Sequence, residues 1–256
     1  MSIEPMSLMR RISRAFHGNV GIIGCLVAGV VALGFFSPSW RIPTSAAEAI
    51  TRIPAPAVDT PASAGDGLQT VVLAGGCFWG VQAVYQHVEG VHQAVSGYAG
   101  GKNPSPTYEQ VSSGRTGHAE SVQVTFDPRQ ISLGKILQIF FSVAHDPTQL
   151  DRQGPDVGTQ YRSAIFVADD AEKSVAQSYV VQLGGAAVFS RPIVTRIDRL
   201  TAFYPAEAYH QNYALTHPNN MYIVYNDLPK VENLKRLFPE VYREQPVTVA
   251  TMSRKL

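Results

Sequence analysis

The chain has 256 residues, 45% of them hydrophobic and 9% aromatic, which is enough for a packed core and too apolar for a disordered chain. A formal net charge of +1, with no basic stripe interleaved with aromatics, argues against a nucleic-acid-binding surface. Two cysteines, Cys25 and Cys77, exclude a disulfide-stapled scaffold.

At the N-terminus Arg10, Arg11 and Arg14 precede an uncharged apolar run over 20–36, closed by Ser37-Pro38-Ser39-Trp40-Arg41. Seventeen residues at the helical rise reach about 25 Å, just short of a hydrocarbon core of about 30 Å, and Trp40 is placed to extend the run to the interface. Residues 1–40 therefore read as a membrane anchor. The alternative is a cleavable signal segment with Ser45-Ala46-Ala47 as its cleavage site. The three arginines set the N-terminal end in the cytoplasm, so the rest of the chain is expected across the membrane, in a bacterium on the periplasmic side. Cys25 lies within the apolar run and reads as a membrane-buried spectator. Residues 41–68, rich in Pro, Ala, Ser and Thr, read as a linker. Residues 69–242 read as one catalytic-sized domain without internal repeats, and 243–256 as a tail.

The domain opens on Val71-Val72-Leu73-Ala74, a short run predicted as a strand buried on both faces. After Gly75-Gly76-Cys77-Phe78-Trp79-Gly80, the residues Val81, Val84, Tyr85 and Val88 recur at helical spacing. Cys77 is thus expected at a strand-to-helix turn, where backbone N–H groups and the helix dipole favour a thiolate and lower the thiol pKa. The other reading of a lone cysteine is a small buried hydrophobe. Gly97-Tyr98-Ala99-Gly100-Gly101 reads as a flexible turn, lacking the lysine of a phosphate loop. Residues 120–127 alternate as a half-buried strand, Leu133 to Ala144 follow as a helix behind Ser132, and 161–167 form a strand. Asp169 caps a helix to about Leu183, 192–198 form a strand, and 204–215 and 230–238 read as helices. This partial alternation favours an α+β sandwich over a doubly wound sheet.

Among the polar residues, period-two alternation puts Glu120 on the side of Val122, Val124 and Phe126, where a carboxyl resists ionising and could act as a general acid. A solvated strand end is the other reading. Asp156 and Tyr161 sit in a loop entering a strand, and Tyr108 in a loop after Pro104 and Pro106; phenols in loops are commonly packing residues. His118, His145 and His210 show no i, i+4 pairing and no second soluble cysteine, so no metal is expected.

With these residues assembled, the chain resembles the peptide methionine sulfoxide reductases of the A type, over about 68–242. The resemblance rests on Gly76-Cys77-Phe78-Trp79-Gly80, Ser96 to Gly101, Pro104 to Tyr108, Ser113 to Glu120, His145-Asp146-Pro147, Gly158 to Ser163, and Phe203 to Glu207 with Tyr209-His210-Gln211. It implies an α+β two-layer sandwich of the ferredoxin-like kind, with additional helices and long coils. It also implies reduction of the S epimer of methionine sulfoxide, free or in proteins, in repair after oxidative stress. On this resemblance Cys77 matches the nucleophile, Phe78 and Trp79 the wall for the substrate's methyl group, Glu120 the acid, Tyr108 and Tyr161 the phenols on the sulfoxide oxygen, and Asp156 an assisting polar residue. No bound cofactor is implied. Many relatives carry further cysteines toward the C-terminus and this sequence has none after Cys77, so an external thiol, thioredoxin-like or glutathione-like, is expected to complete the cycle of a monomer. Two other hypotheses fit a lone reactive cysteine: a thiol peroxidase, and a tethered module that binds methionine-bearing peptides without turnover.

Overall fold

The computed structural model describes residues 52–60 and 67–250. The expected membrane segment over 20–36, the possible cleavage site, Cys25 and the rest of the linker lie outside the described residues. Among the described residues no helix is long and apolar enough to cross a membrane.

Strand β1 (Gln69–Gly75) leads into α1 (Phe78–Gln86), β2 (Val91–Ala99), α2 (Tyr108–Ser112) and β3 (Ala119–Phe126). Helix α3 (Leu133–Ile139) runs on into a π-helical turn, Phe140–Ala144. A small hairpin, β4 (Arg152–Gln153) and β5 (Asp156–Val157), and a 3-10 turn (Thr159–Tyr161) precede β6 (Ser163–Val167), α4 (Asp170–Gly185) and β7 (Arg196–Arg199). The chain closes with β8 (Phe203–Pro205), α5 (Tyr213–Thr216), a second π-helical turn (Ile223–Asp227) and α6 (Leu228–Leu237). The large sheet has the order β7-β6-β1-β3-β2-β8, antiparallel throughout except for the β6–β7 pair. The fold is thus mixed α+β.

Alternation in β1 sorts its side chains between two layers. Val71 and Leu73 join the main core with residues of α1, α3 and α4, whereas Val72 and Ala74 join a smaller cluster with Ala99, Ala119, Ala164 and Phe166. Burial on both faces is what a wholly apolar run predicts for a central strand. The expected caps are in place: the Ser132 side chain accepts from Lys135 N–H at 3.1 Å and the Asp169 side chain from Glu172 N–H at 2.9 Å.

Two stretches differ from the sequence reading. Gly97-Tyr98-Ala99 is not a flexible turn but the end of β2, paired with both β3 and β8; a Cβ at Gly97 would lie 2.4 Å from the Phe203 ring, so the glycine admits the edge strand. Residues 204–215 are not one helix but β8, a 3-10 turn and α5, because Gln211 bonds sideways to Ser96 N and O, and Asn212 takes a left-handed φ of 58°. Within the expected linker, 52–60 is docked. Ile53 is buried, its carbonyl accepts from Gln138 at 2.7 Å, Pro54 O accepts from Tyr179 at 2.7 Å, and Asp59 accepts from Gly134 N–H at 2.7 Å.

Candidate active site

The sharp exit from β1 depends on Gly76, whose φ of +91° disfavours any side chain and whose Cβ would also meet Gln153 at 2.5 Å. Cys77 then falls at the N-cap of α1, as its place between an apolar strand and a helical pattern predicts. The Trp79 N–H pulls the thiol pKa down, favouring the thiolate, although the Cys77 side chain makes no capping hydrogen bond. The expected fall in thiol pKa is nevertheless overturned. Cys77 is only 8% exposed, and burial first, then the negative charges of Glu120 and Asp227, push the thiol well above its ordinary range against the weaker pull of Trp79 N–H and Lys230. Desolvation outweighs the helix terminus here.

Glu120 is 2% exposed, so the solvated strand-end reading is excluded. Strand β3 brings it opposite Tyr98 in the sheet, and its Oε2 accepts from Phe78 N–H at 3.1 Å, at the first residue of α1. Burial, with Asp156 and Asp227 adding to it, pushes its carboxyl up to about 8, although the Phe78 bond pulls the other way. The carboxyl is therefore protonated through most of the neutral range.

Tyr108 lies at the start of α2 rather than in a loop, behind a capping box in which Thr107 and Gln110 satisfy each other's backbone. Glu207 accepts from Tyr108 N–H at 2.9 Å and from the Tyr98 hydroxyl at 2.8 Å, fixing that helix start against β2. Tyr161 ends the 3-10 turn just before β6. Both phenols are raised, by burial first and then by Glu120, and both feel Asp156 and Cys77, so Cys77, Glu120, Tyr108, Tyr161 and Asp156 share one electrostatic neighbourhood. Asp156, in β5, accepts a hydrogen bond from the Tyr222 hydroxyl.

Phe78 is buried against Tyr98 and His210, with ring centroids 6.0 and 5.0 Å away. Trp79 is partly exposed; it stacks on Tyr213 at 3.8 Å, meets Tyr222 edge-on at 6.1 Å, and donates from Nε1 to His210 Nδ1 at 3.2 Å. Tyr222, Tyr213, His210 and Asp227 were not singled out for this site by the sequence reading. All four come from 208–227, where short turns leave no periodicity to follow. The histidines considered for metal have protein partners: His118 Nε2 is 2.9 Å from Asn103 O, His145 Nε2 is 2.7 Å from Ser163 Oγ, and His210 accepts from Trp79. Among the described residues no cluster of His, Cys, Asp or Glu could hold a metal ion.

A cavity of about 440 Å³ lies behind the turn, lined by His145, Gln153, Asn226 and Lys230 among others, and by none of the seven residues expected at the site. The groups expected to react lie outside that cavity, on α1, β3, α2, β5 and the 3-10 turn before β6.

Comparison with known proteins agrees with this geometry. The family model described as peptide methionine sulfoxide reductase matches residues 69–241. Peptide methionine sulfoxide reductase MsrA 2 of Mesorhizobium japonicum is 57% identical over 190 residues, covering 74% of this chain and 97% of that protein. A protein of the same name from Synechocystis is 45% identical over 195 residues, covering 75% and 91%. Among solved structures, Mxr1 of Saccharomyces cerevisiae in reduced form is 34% identical with a TM-score of 0.54, over 64% of this chain and 91% of that one. Methionine sulfoxide reductase A of Corynebacterium diphtheriae gives 34% and 0.52, over 67% and 85%. With a family model spanning most of the chain and relatives this similar along nearly their whole length, the chain belongs to the peptide methionine sulfoxide reductase family.

Proposed function

We propose that this chain reduces the S epimer of methionine sulfoxide, free or in proteins, to methionine, with Cys77 as nucleophile and Glu120 as proton donor. The observation that carries the reading is one thiol at a helix N-cap sharing a neighbourhood with a buried carboxyl held at about 8 and two protonated phenols. A sulfoxide sulfur is a poor electrophile until its oxygen is protonated. A neutral Glu120 supplies that proton, and the Tyr108 and Tyr161 hydroxyls donate to the same oxygen as charge develops on it. Cys77 loses its own proton as its sulfur attacks, so the proton count at the site is restored. The net step moves one oxygen: thioether S–O breaks, Cys77 S–O forms, methionine leaves, and Cys77 is oxidised to a sulfenic acid. Trp79 and Phe78 form an apolar wall for the methyl group, which leaves one epimer with its oxygen toward the donors. Asp156 fixes Tyr222 beside that wall.

No cysteine follows Cys77 in this sequence, so an external thiol attacks the sulfenic acid with loss of water, and a second thiol releases the mixed disulfide and restores Cys77. A thioredoxin-like dithiol supplies both in one molecule. A monomer anchored through residues 20–36, with the domain on the periplasmic side, completes the reading and rests on the sequence pattern alone. What supports a ferredoxin-like description of the fold is the order β6-β1-β3-β2 at the centre of the sheet, antiparallel at each pairing, with α1 after β1 and α3 after β3. The test is incubation with each epimer of a methionine sulfoxide peptide and dithiothreitol. Reduction of the S epimer alone is expected; no reduction of it refutes the function, and equal reduction of both refutes the wall.

A further inference from the structure

Near Cys77, at the junction of the second π-helical turn and α6, stands a charged pair that the reaction as written leaves unused. Asp227 is fully buried at the end of the second π-helical turn, and its Oδ1 accepts from Lys230 Nζ at 3.2 Å, one turn into α6. Its other oxygen, Oδ2, is buried without a hydrogen bond from any described residue. Burial raises its pKa, and Lys230 offsets part of that rise, so the charge that Asp227 carries depends on its partner. Lys230 has 18% of its side chain exposed and borders the 440 Å³ cavity, which gives the cation its contact with solvent.

The pair is pressed against the nucleophile's own helix. A Cβ on Gly80, three residues after Cys77, would lie 2.1 Å from Asp227 Oδ1 and 2.7 Å from Lys230 Nζ. Gly80 has a helical φ and needs no conformational freedom, so its missing side chain serves this contact. The last glycine of Gly76-Cys77-Phe78-Trp79-Gly80 is thereby explained by packing, as Gly76 is explained by the turn.

We propose that Asp227 and Lys230 are positioning residues for the reaction at Cys77, two opposed charges clamped against the first turn of α1 that set how readily the thiol gives up its proton. This rests on Cys77 being the reacting thiol. The carboxylate opposes the thiolate and the ammonium favours it, so each alone acts in the opposite sense. The other groups facing Cys77 are Glu120 from β3 and the phenols Tyr108, Tyr161 and Tyr222; Asp156 faces Glu120 and Asp227, and His145, held neutral by burial, faces Lys230. Asp227 also acts on Glu120 and Tyr222, and Lys230 on His145, so the opposite signs of the two single variants and their cancellation in the double variant are what identify the pair.

The experiment is the pH profile of iodoacetamide alkylation on the full chain, followed by mass spectrometry on the peptide bearing Cys77. Alkylation reads the thiol whether or not a sulfoxide is reduced, so this inference and the proposed function can fail separately. Asp227→Asn is expected to move the profile down by about one pH unit, a roughly tenfold faster reaction below the midpoint. Lys230→Met is expected to move it up by a similar amount, Lys230→Arg to hold it, and the double variant Asp227→Asn/Lys230→Met to return near the wild type. The pH profile of sulfoxide reduction should follow in the same directions. Single variants that both shift the same way, or neither, overturn the proposal. Should Asp227→Asn fail to fold, Lys230→Met against Lys230→Arg decides: equal profiles overturn it, and a shift in Lys230→Met alone supports it.

Discussion

Two buried carboxyls act on Cys77 from different elements, and their partners set them apart. Glu120, from β3, is buried with a backbone N–H for a partner, and its carboxyl is pushed up to about 8. Asp227, at the end of the second π-helical turn, is buried as deeply, and Lys230 beside it offsets part of the rise that burial causes. A carboxyl with no cation beside it is left as a proton donor, whereas a lysine alongside draws one toward the charged form. The thiol is desolvated by burial and opposed by both carboxyls, so its readiness to react comes from what surrounds it and not from the helix end alone.

The largest expected effect removes the sulfur. Cys77→Ser should abolish reduction of every sulfoxide with dithiothreitol as reductant, measured as methionine released; retained turnover would mean that Cys77 is not the nucleophile. Glu120→Gln keeps the Phe78 contact and withdraws the proton, and should lower kcat/KM about 10²- to 10⁴-fold across the neutral range. The same substitution sharpens the comparison through stability. A folded pKa of about 8 means that Glu120 helps the fold fully below its unfolded value, and that this help is lost as pH rises toward 8. Thermal melts of the wild type should therefore fall between about pH 5 and 8, by an amount on the order of a few kcal/mol, and those of Glu120→Gln should fall less.

Smaller effects follow at Gly80 and at the two phenols. Gly80→Ala drives a methyl into the Asp227–Lys230 contact and should destabilise the fold by about 1 to 3 kcal/mol in denaturant melts, while leaving the Glu120–Phe78 bond in place. Tyr108→Phe or Tyr161→Phe alone each withdraws one donor from the sulfoxide oxygen and should cost roughly tenfold in kcat/KM, the pair together costing more. An unchanged rate in both single variants would take the phenols out of the chemistry.

How much of this was legible in the sequence follows from where periodicity is strong. The apolar run 71–74, the helical spacing after Trp79 and the alternation from Glu120 each stated an element and a direction, and it was the family resemblance, not the periodicity, that put Cys77 and Glu120 in one site. Periodicity said nothing of desolvation, so the thiol was expected low where the surrounding groups hold it high. It also failed across 203–227, where side chains rather than ladders secure the backbone: Gln211 bonds Ser96, and Gln82 and Gln86 of α1 reach Gln211 and Asn212. One signal there was available. Asp227-Leu228-Pro229-Lys230 has the proline of a helix start, which places Asp227 and Lys230 an i, i+3 step apart on the same turn.

The account turns on oxygen passing from the substrate's sulfur to Cys77, and a single turnover without reductant tests it most directly. With the S epimer of a sulfoxide peptide and dimedone present, about one methionine per chain should be released and the dimedone adduct should be found on the peptide bearing Cys77. Methionine released with Cys77 unmodified, or an adduct on Cys77 with no methionine formed, would contradict it.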